Sequence, residues 1–107
     1  MDFNEKSFIF ARKCRELVHD LPVTPTNNED GLQLVCASGQ MAKAIIDFQE
    51  NDGDERIIHM RRVRQHTKAC VLWLKLLDCG RDSSRNALRD SLINDTEAIL
   101  KKLDEHI

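Results

Sequence analysis

The chain contains no tyrosine, and it has only four glycines and two prolines among its 107 residues. Tyrosine favours strands, while glycine and proline make most of the tight turns that connect them. A protein built from many short strands needs these residues in quantity, so the composition argues against an all-β fold. Hydrophobic residues make up 41% and charged residues 32% of the chain, which is typical of a folded, charge-rich domain.

Long apolar runs and a strong net charge are also missing. No apolar run approaches about 18 residues, so we expect no membrane-spanning segment. The N-terminus is acidic and polar (MDFNEKSF), unlike a signal peptide. The formal net charge of −2 gives no overall positive field that would point to nucleic acid. None of the four cysteines forms a C-x-x-C pair, so we interpret them as buried thiols in a reducing, cytoplasmic setting.

The motifs of common catalytic sites are missing as well: there is no glycine-rich phosphate loop, no H-E-x-x-H and no nucleophile elbow. His66 and Cys70 stand four residues apart and could meet one metal, but a metal site needs further ligands. A satisfied histidine beside a buried thiol is the favoured interpretation. Asp47 and His66 could instead form an inward polar pair between two helices. We therefore expect no enzyme, no catalytic residue, no metal and no cofactor.

What the sequence does contain is helical periodicity. Apolar residues recur at spacings of three and four through most of the chain, which predicts amphipathic helices. The predicted helices run from about Asn4 to Leu21, Glu29 to Asn51, Asp54 to Cys79 and Ser83 to Glu105. Short connections join them, so the sequence predicts one all-α domain over residues 1–107, an antiparallel up-down-up-down four-helix bundle.

Local signals mark where these helices begin and end. Pro22 and Pro25 stop the first, because proline lacks an N–H and disfavours helix just before it. Asn27 or Asn28 is the predicted N-cap of the second. Asp52 or Asp54 caps the third, Gly80 is its predicted C′ residue, and RDSS caps the fourth.

The third predicted helix has more apolar surface than one core can cover. Its stretch CVLWLKLLDCG begins at Cys70, and Cys70, Leu74 and Leu77 continue an inward seam that starts at Met60. Clustered apolar side chains outside the seam usually mark an interface, so the sequence predicts a homo-oligomer. The second helix also has two apolar faces and hence two packing partners. The predicted oligomer interface comprises Val71, Leu72, Trp73, Leu76, Leu34, Met41 and Phe48. The alternative is an uneven bundle in which Trp73 caps one end.

Packing motifs over nearly the whole chain, from about Phe3 to Leu103, resemble one protein family. The family's second helix carries a pattern close to Q-L-x-R-S-x-x-S-x-x-A-N-x-x-E-A, and Gln33, Leu34, Val35, Ala37, Ser38 and Gly39 begin in its register. Its W-L-x-L-L stretch is matched by Trp73, Leu74, Lys75, Leu76 and Leu77, and its LP dipeptide by Leu21 and Pro22. The chain thus resembles the four-helix-bundle proteins encoded by intervening sequences in bacterial 23S rRNA genes. It departs from their pattern at Cys36, Ala44, Asp47 and His66, where the family has Arg, Asn, Glu and Glu.

The resemblance implies an antiparallel bundle that assembles as a ring-like pentamer and has no enzymatic activity. A related branch of the family consists of accessory proteins of diversity-generating retroelements. Those proteins are similar pentameric bundles that hold a reverse transcriptase and its RNA template. RNA or a reverse transcriptase is therefore an expected partner, by analogy of fold.

One basic stretch fits such a partner. Arg61, Arg64, Lys68 and Lys75 share one helical face, with Arg62 beside them in the RRVR run. Repeated around a ring, this face could follow a phosphate backbone. The aromatic residues that usually accompany single-strand binding are missing from it. The competing interpretations are a solvated face, pairing with acids, and a protein-interaction module that binds no nucleic acid.

Overall fold

The computed structural model describes residues 2–105, and within that range it is all-helical, with four helices and no strand. The helices are α1 (Phe3–Asp20), α2 (Pro25–Glu50), α3 (Gly53–Leu76) and α4 (Ser83–Asp104). The prediction of an all-α chain with four helices is confirmed. Within the described range, no helix combines the length and the apolar content that crossing a bilayer requires.

The helices that follow each other in the chain also pack against each other. Helix α2 contacts α1 and α3, α4 contacts α3 and α1, and the core lies between the four. The predicted inward seam of α3 is confirmed, because Val63, Thr67, Cys70, Leu74 and Leu77 are all buried and only Met60 is half-buried. The molecule is elongated along the helices, with principal extents of 46 × 24 × 17 Å.

Helix α2 begins at Pro25, four residues before the predicted start at Glu29. Thr24 is the N-cap, and its hydroxyl accepts a hydrogen bond from the Asn27 N–H at 3.1 Å. Proline suits the first helical position, because its missing N–H would have no helical partner there and its φ is already fixed. The expectation that Pro25 belongs to the loop was therefore wrong, and so was the assignment of Asn27 or Asn28 as the cap.

Helix α3 ends at Leu76, three residues before the predicted end at Cys79. Gly80 has a φ of +68°, but it lies in the turn beyond the helix and is not its C′ residue. At the N-terminal end of α3, Asp52 is the N-cap, which is one of the two predicted alternatives, Asp52 and Asp54. The RDSS prediction for α4 is confirmed, since the Asp82 side chain accepts from the Arg85 N–H at 3.1 Å.

Asn27 ties two loops together at one end of the molecule. Its Nδ2 donates to the carbonyl of Pro22 at 3.0 Å and to the carbonyl of Asp78 at 2.9 Å. Its Oδ1 accepts from the N–H of Asp78 at 3.0 Å. Asn27 is 3% exposed, so its amide needs hydrogen-bond partners within the chain, and these three bonds supply them. The connection joins the start of α2 to the segment that follows α3.

The two apolar faces of α2 have different surroundings. Leu34, Met41 and Phe48 lie inside the chain at 0%, 0% and 1% exposure, and the Arg56 guanidinium covers the Phe48 ring at 4.5 Å from its centroid. Side chains without accessible surface cannot contact another copy, so their assignment to the oligomer interface was wrong. The other face of α2 points outward and leaves Leu32 62% exposed.

Two glycines of α2 give a matched pair of predictions. An added Cβ at buried Gly31 would lie 2.8 Å from Val18 Cγ1, whereas at exposed Gly39 it would meet nothing within 4 Å. We expect Gly31→Ala to lower the free energy of unfolding by about 1–2 kcal/mol through overpacking against α1. Gly39→Ala should raise it by about 0.5–1 kcal/mol, because alanine favours helix. Urea denaturation of both variants checks this, and effects of equal sign would contradict the close α1–α2 approach.

Candidate functional site

The last turns of α3 carry the four apolar residues of the predicted interface, which we call the α3 patch: Val71, Leu72, Trp73 and Leu76. Leu72 and Leu76 are each 52% exposed, while Val71 and Trp73 are half-buried and Trp73 packs against the core. One bundle core therefore does not cover the stretch, as the sequence predicted. The structure leaves Leu72 and Leu76 uncovered within the single chain.

The helix geometry extends the exposed apolar surface of α3 beyond the predicted residues. Ile58, at 49% exposure, stands fourteen positions before Leu72, and the two lie on nearly the same side of an α-helix because that spacing is close to four turns. Ile57 is 47% exposed beside it. Counting back from Leu72 in steps of seven residues leads to Ile58, so the sequence alone could have identified it.

The structure places the predicted basic residues in three different situations. Arg61, Lys68 and Lys75 are exposed. Arg64 donates from Nη2 to Oδ1 of Asp104 in α4, at 2.6 Å. Arg62 lies on the side of α3 that faces α2, where it lines a groove with Asp47 and His66. The common basic face therefore consists of Arg61, Arg64, Lys68 and Lys75, without Arg62, and one of its arginines is already paired.

The ion pair between Arg64 and Asp104 limits how positive this face can be. Both side chains are partly exposed, so the pair contributes no more than about 1 kcal/mol to stability. Its main effect is electrostatic, because the Asp104 carboxylate cancels one of the positive charges on the face. The acid lies on α4, and nothing in the pattern of α3 could have indicated it.

The groove between α2 and α3 is polar and has a volume of about 250 Å³. The lining residues are Gln40, Lys43, Ala44, Asp47, Arg62 and His66. Asp47 accepts from Lys43 Nζ at 3.5 Å, and within the described residues no hydrogen bond joins Asp47 to His66. Both are half-buried at the surface. The prediction that Asp47 and His66 form an inward polar pair is therefore wrong, although both residues line the same groove.

Burial, and secondarily the Arg62 charge, lower the pKa of His66 from its ordinary value of 6.5. Because the pKa of His66 is lower in the folded chain than in the unfolded chain, protonation of His66 favours unfolding. The contribution of His66 to the free energy of unfolding is therefore complete above pH 6.5 and is lost as the pH falls through the folded-state pKa. We expect an NMR titration of Arg62→Gln to return the pKa part of the way toward 6.5, since burial remains. Arg61→Gln, on the opposite side of α3, is the control and should leave the pKa of His66 unchanged.

The thiols do not assemble a reactive or metal-binding centre in the described part of the chain. All four cysteines are free, and Cys14, Cys70 and Cys79 are buried. Burial raises the pKa of Cys70 to about 12, raises the pKa of Cys14 further, and also raises that of Cys79. Within residues 2–105, no group of three or more His, Cys, Asp or Glu side chains could hold a metal ion. The thiolate, which is the nucleophile and ligand form, is thus disfavoured at these buried positions.

Thiol labelling tests this arrangement directly. We expect one thiol of the native chain, Cys36, to react rapidly with Ellman's reagent, because it is the exposed one of the four. The other three should react only when the fold opens, and all four should react in denaturant. Cys36→Ser should abolish the rapid phase. Rapid labelling of a second thiol in the native protein would contradict the burial of the core cysteines.

Sequence reasoning missed two grooves along α1. The first lies between α1 and α2, has a volume of about 410 Å³ and is bordered by Val23 and Leu32, which are 88% and 62% exposed. The second lies between α1 and α4, has a volume of about 270 Å³ and is lined by three lysines above an apolar floor. Each depends on which helices become neighbours, and that information is not contained in the periodicity of one helix.

Comparison of the chain with models of protein families, with curated proteins and with solved structures finds no match. The resemblance to the intervening-sequence proteins therefore stays a prediction based on the quoted motifs.

Proposed function

We propose that this chain is a nonenzymatic scaffold that assembles with copies of itself through the α3 patch. In this proposal the assembly binds RNA, or a ribonucleoprotein partner such as a reverse transcriptase, along the basic face of α3. The observation that carries the proposal is the exposure of Leu72 and Leu76, 52% each, on a helix whose inward seam is already filled. The family resemblance favours five copies, and the free thiols are consistent with a reducing, cytoplasmic compartment.

The proposed scaffold is an antiparallel up-down-up-down bundle. Two contacts support this arrangement. Asn27, at the start of α2, bonds to Asp78 just after α3. Arg85, at the start of α4, pairs through Nε with Oδ2 of Asp20 at the end of α1, at 3.1 Å. An antiparallel bundle joins opposite ends of neighbouring helices in this way, and its connections are short.

Burial energetics support self-association. Full burial of one leucine stabilises by about 1.5–3 kcal/mol, so two half-exposed leucines leave about 2 kcal/mol per chain unrealised in the monomer. A second copy would realise that stabilisation. Exposed apolar clusters of this kind typically occur at interfaces.

Light scattering tests the assembly. A mass that is a multiple of the 12.3 kDa chain supports the proposal, with about 60 kDa expected for five copies in a closed ring. A monomer across the micromolar range would overturn the self-association. Absorbance of the same peak at 260 and 280 nm reports whether nucleic acid accompanies the protein.

RNA binding is tested by charge reversal on the basic face. Arg61→Glu/Lys68→Glu changes two exposed cations and leaves the Arg64–Asp104 pair intact. We expect weaker binding of single-stranded RNA and a log–log salt slope reduced by about 1.4 for each chain that contacts the strand, because about 0.7 counterion is released per neutralised phosphate of a single strand. The matched control is Arg12→Glu/Arg15→Glu, which reverses two exposed arginines on α1. Equal losses in the two variants would mean that net charge, and not this face, governs binding.

A protein-interaction module without nucleic-acid binding is the second candidate. The observation that favours it is the pairing of Arg64 with Asp104, which removes one charge from an already short basic face. The net charge of −2 points the same way. Under this candidate the purified assembly carries no 260 nm excess, and the charge-reversed variants behave like wild type toward RNA.

A further inference from the structure

The groove between α1 and α4 combines an apolar floor with clustered positive charge. Phe3, Ile9, Phe10 and Ile99 line it together with Ala98, in a cavity of about 270 Å³. Lys6, Lys13 and Lys102 contribute ammonium groups, and Asp95 is the acid among the lining residues. The volume of about 270 Å³ lies just below the range of about 300–1,000 Å³ that is typical of small-molecule sites.

Helical spacing explains how the lysines come to surround this floor. Lys6 and Lys13 are seven residues apart on α1, about two turns, so they lie on the same side of the helix with Ile9 between them. Lys102 approaches from α4, on the opposite wall. The floor is therefore bordered by positive charge on both walls.

Two of the three lysines of the groove, Lys6 and Lys13, are exposed on α1. In the described part of the chain, neither Lys6 nor Lys13 has an ion-pair partner, and Asp95 is half-buried without one. An anion placed here would gain attraction from several cations at a surface shielded by apolar side chains, where the effective dielectric constant is lower than in water.

A structural explanation is available for lysines at such a position, because their methylene stems often cover apolar surface while the ammonium stays in water. That explanation accounts for the position of each single lysine over apolar surface. It does not account for an open cavity beneath the stems, or for the convergence of three lysines from two helices on it.

We propose that this groove is a binding site for a small amphipathic carboxylate, whose hydrocarbon body occupies the apolar floor and whose anionic group lies beside Lys6 and Lys13. Lysine suits this role, since its compact charge on a flexible stem can follow an anion without the fixed fork geometry of arginine. The site is separate from the α3 patch and the basic face of α3. Its occupancy is independent of whether the chain binds RNA.

Sodium decanoate is the probe that tests the site, with decanol as the neutral analogue and sodium acetate as the anion without an apolar body. NMR spectra of the full chain follow the methyl groups of Ile9, Ala98 and Ile99. We expect saturable shifts at these methyls with decanoate, about tenfold weaker binding of decanol, and none with acetate. Shifts spread over other core methyls, or equal binding of decanol and decanoate, would overturn the proposal.

The variant Lys6→Gln/Lys13→Gln removes two charges and keeps both side-chain stems. We expect it to raise the dissociation constant for decanoate by about tenfold and to leave that for decanol unchanged. Lys43→Gln, an exposed lysine on α2, is the control and should bind as wild type. Circular dichroism establishes that both variants remain folded. Unaltered decanoate binding by the folded double variant would show that the lysines do not recognise the anion.

Discussion

Replacing Asn27 with alanine is expected to lower the free energy of unfolding by about 2–4 kcal/mol, since three hydrogen bonds of one buried amide are lost together. The loss leaves the Asp78 N–H and the carbonyls of Pro22 and Asp78 without their partner. These backbone groups are only partly accessible to water, which replaces the missing bonds incompletely, so the loss is costly. Urea denaturation at one fixed protein concentration measures the effect, as self-association would otherwise change the apparent stability.

Two further variants separate the hydrogen bonds from other effects of the substitution. Asn27→Asp keeps an acceptor for the Asp78 N–H but cannot donate to two carbonyls, so it should remain destabilised by at least about 1 kcal/mol. Asn28→Ala changes the exposed neighbour and should stay within about 0.5 kcal/mol of wild type. Equal, small effects at Asn27 and Asn28 would show that the bridge contributes nothing to stability.

The same bridge explains why the sequence predicted the helices but misplaced two of their ends. Periodicity reports which residues are apolar on a helix, and it predicted four helices correctly. The end of α3 at Leu76 coincides with a contact between residues 51 positions apart, from Asn27 to Asp78. Local signals such as Gly80 carry no information about that contact. A proline can either end one helix or open the next, and Pro25 opens α2.

The interaction surfaces were predictable only in part, for a related reason. Helix α2 has two apolar faces, and its own sequence cannot say which one the neighbouring helices cover. Leu34 and Phe48 are covered, and Leu32 is not. On α3 the sequence did indicate an exposed apolar surface, because Leu72 and Leu76 are not needed to complete the inward seam. The partner of Arg64 lies 40 residues away on α4, so the partial neutralisation of the basic face appears only in the folded chain.

The second large effect is expected at the α3 patch. Leu72→Glu/Leu76→Glu should convert the proposed assembly to a 12.3 kDa monomer, because burying two carboxylates in an apolar interface costs several kcal/mol per contact. The monomer itself should keep its fold. Both positions are 52% exposed, and the new acid at position 72 can pair with Lys68 and Lys75, which stand four residues before it and three residues after it. Light scattering gives the mass, and circular dichroism gives the helicity.

Phe8→Glu is the matched control, as Phe8 is 47% exposed but lies on α1. It should leave the mass of the assembly unchanged. If Phe8→Glu dissociates the assembly and the double variant does not, the copies meet through α1 and the exposed leucines of α3 are free to contact a different partner. If the double variant alone dissociates the assembly, the RNA affinity of the monomer can be compared with that of the assembly.

The double variant retains Lys68 and Lys75, so its basic face stays in place. If its RNA affinity falls by more than two added acids can explain, the additional loss comes from multivalency, in which several weak basic faces bind along one strand.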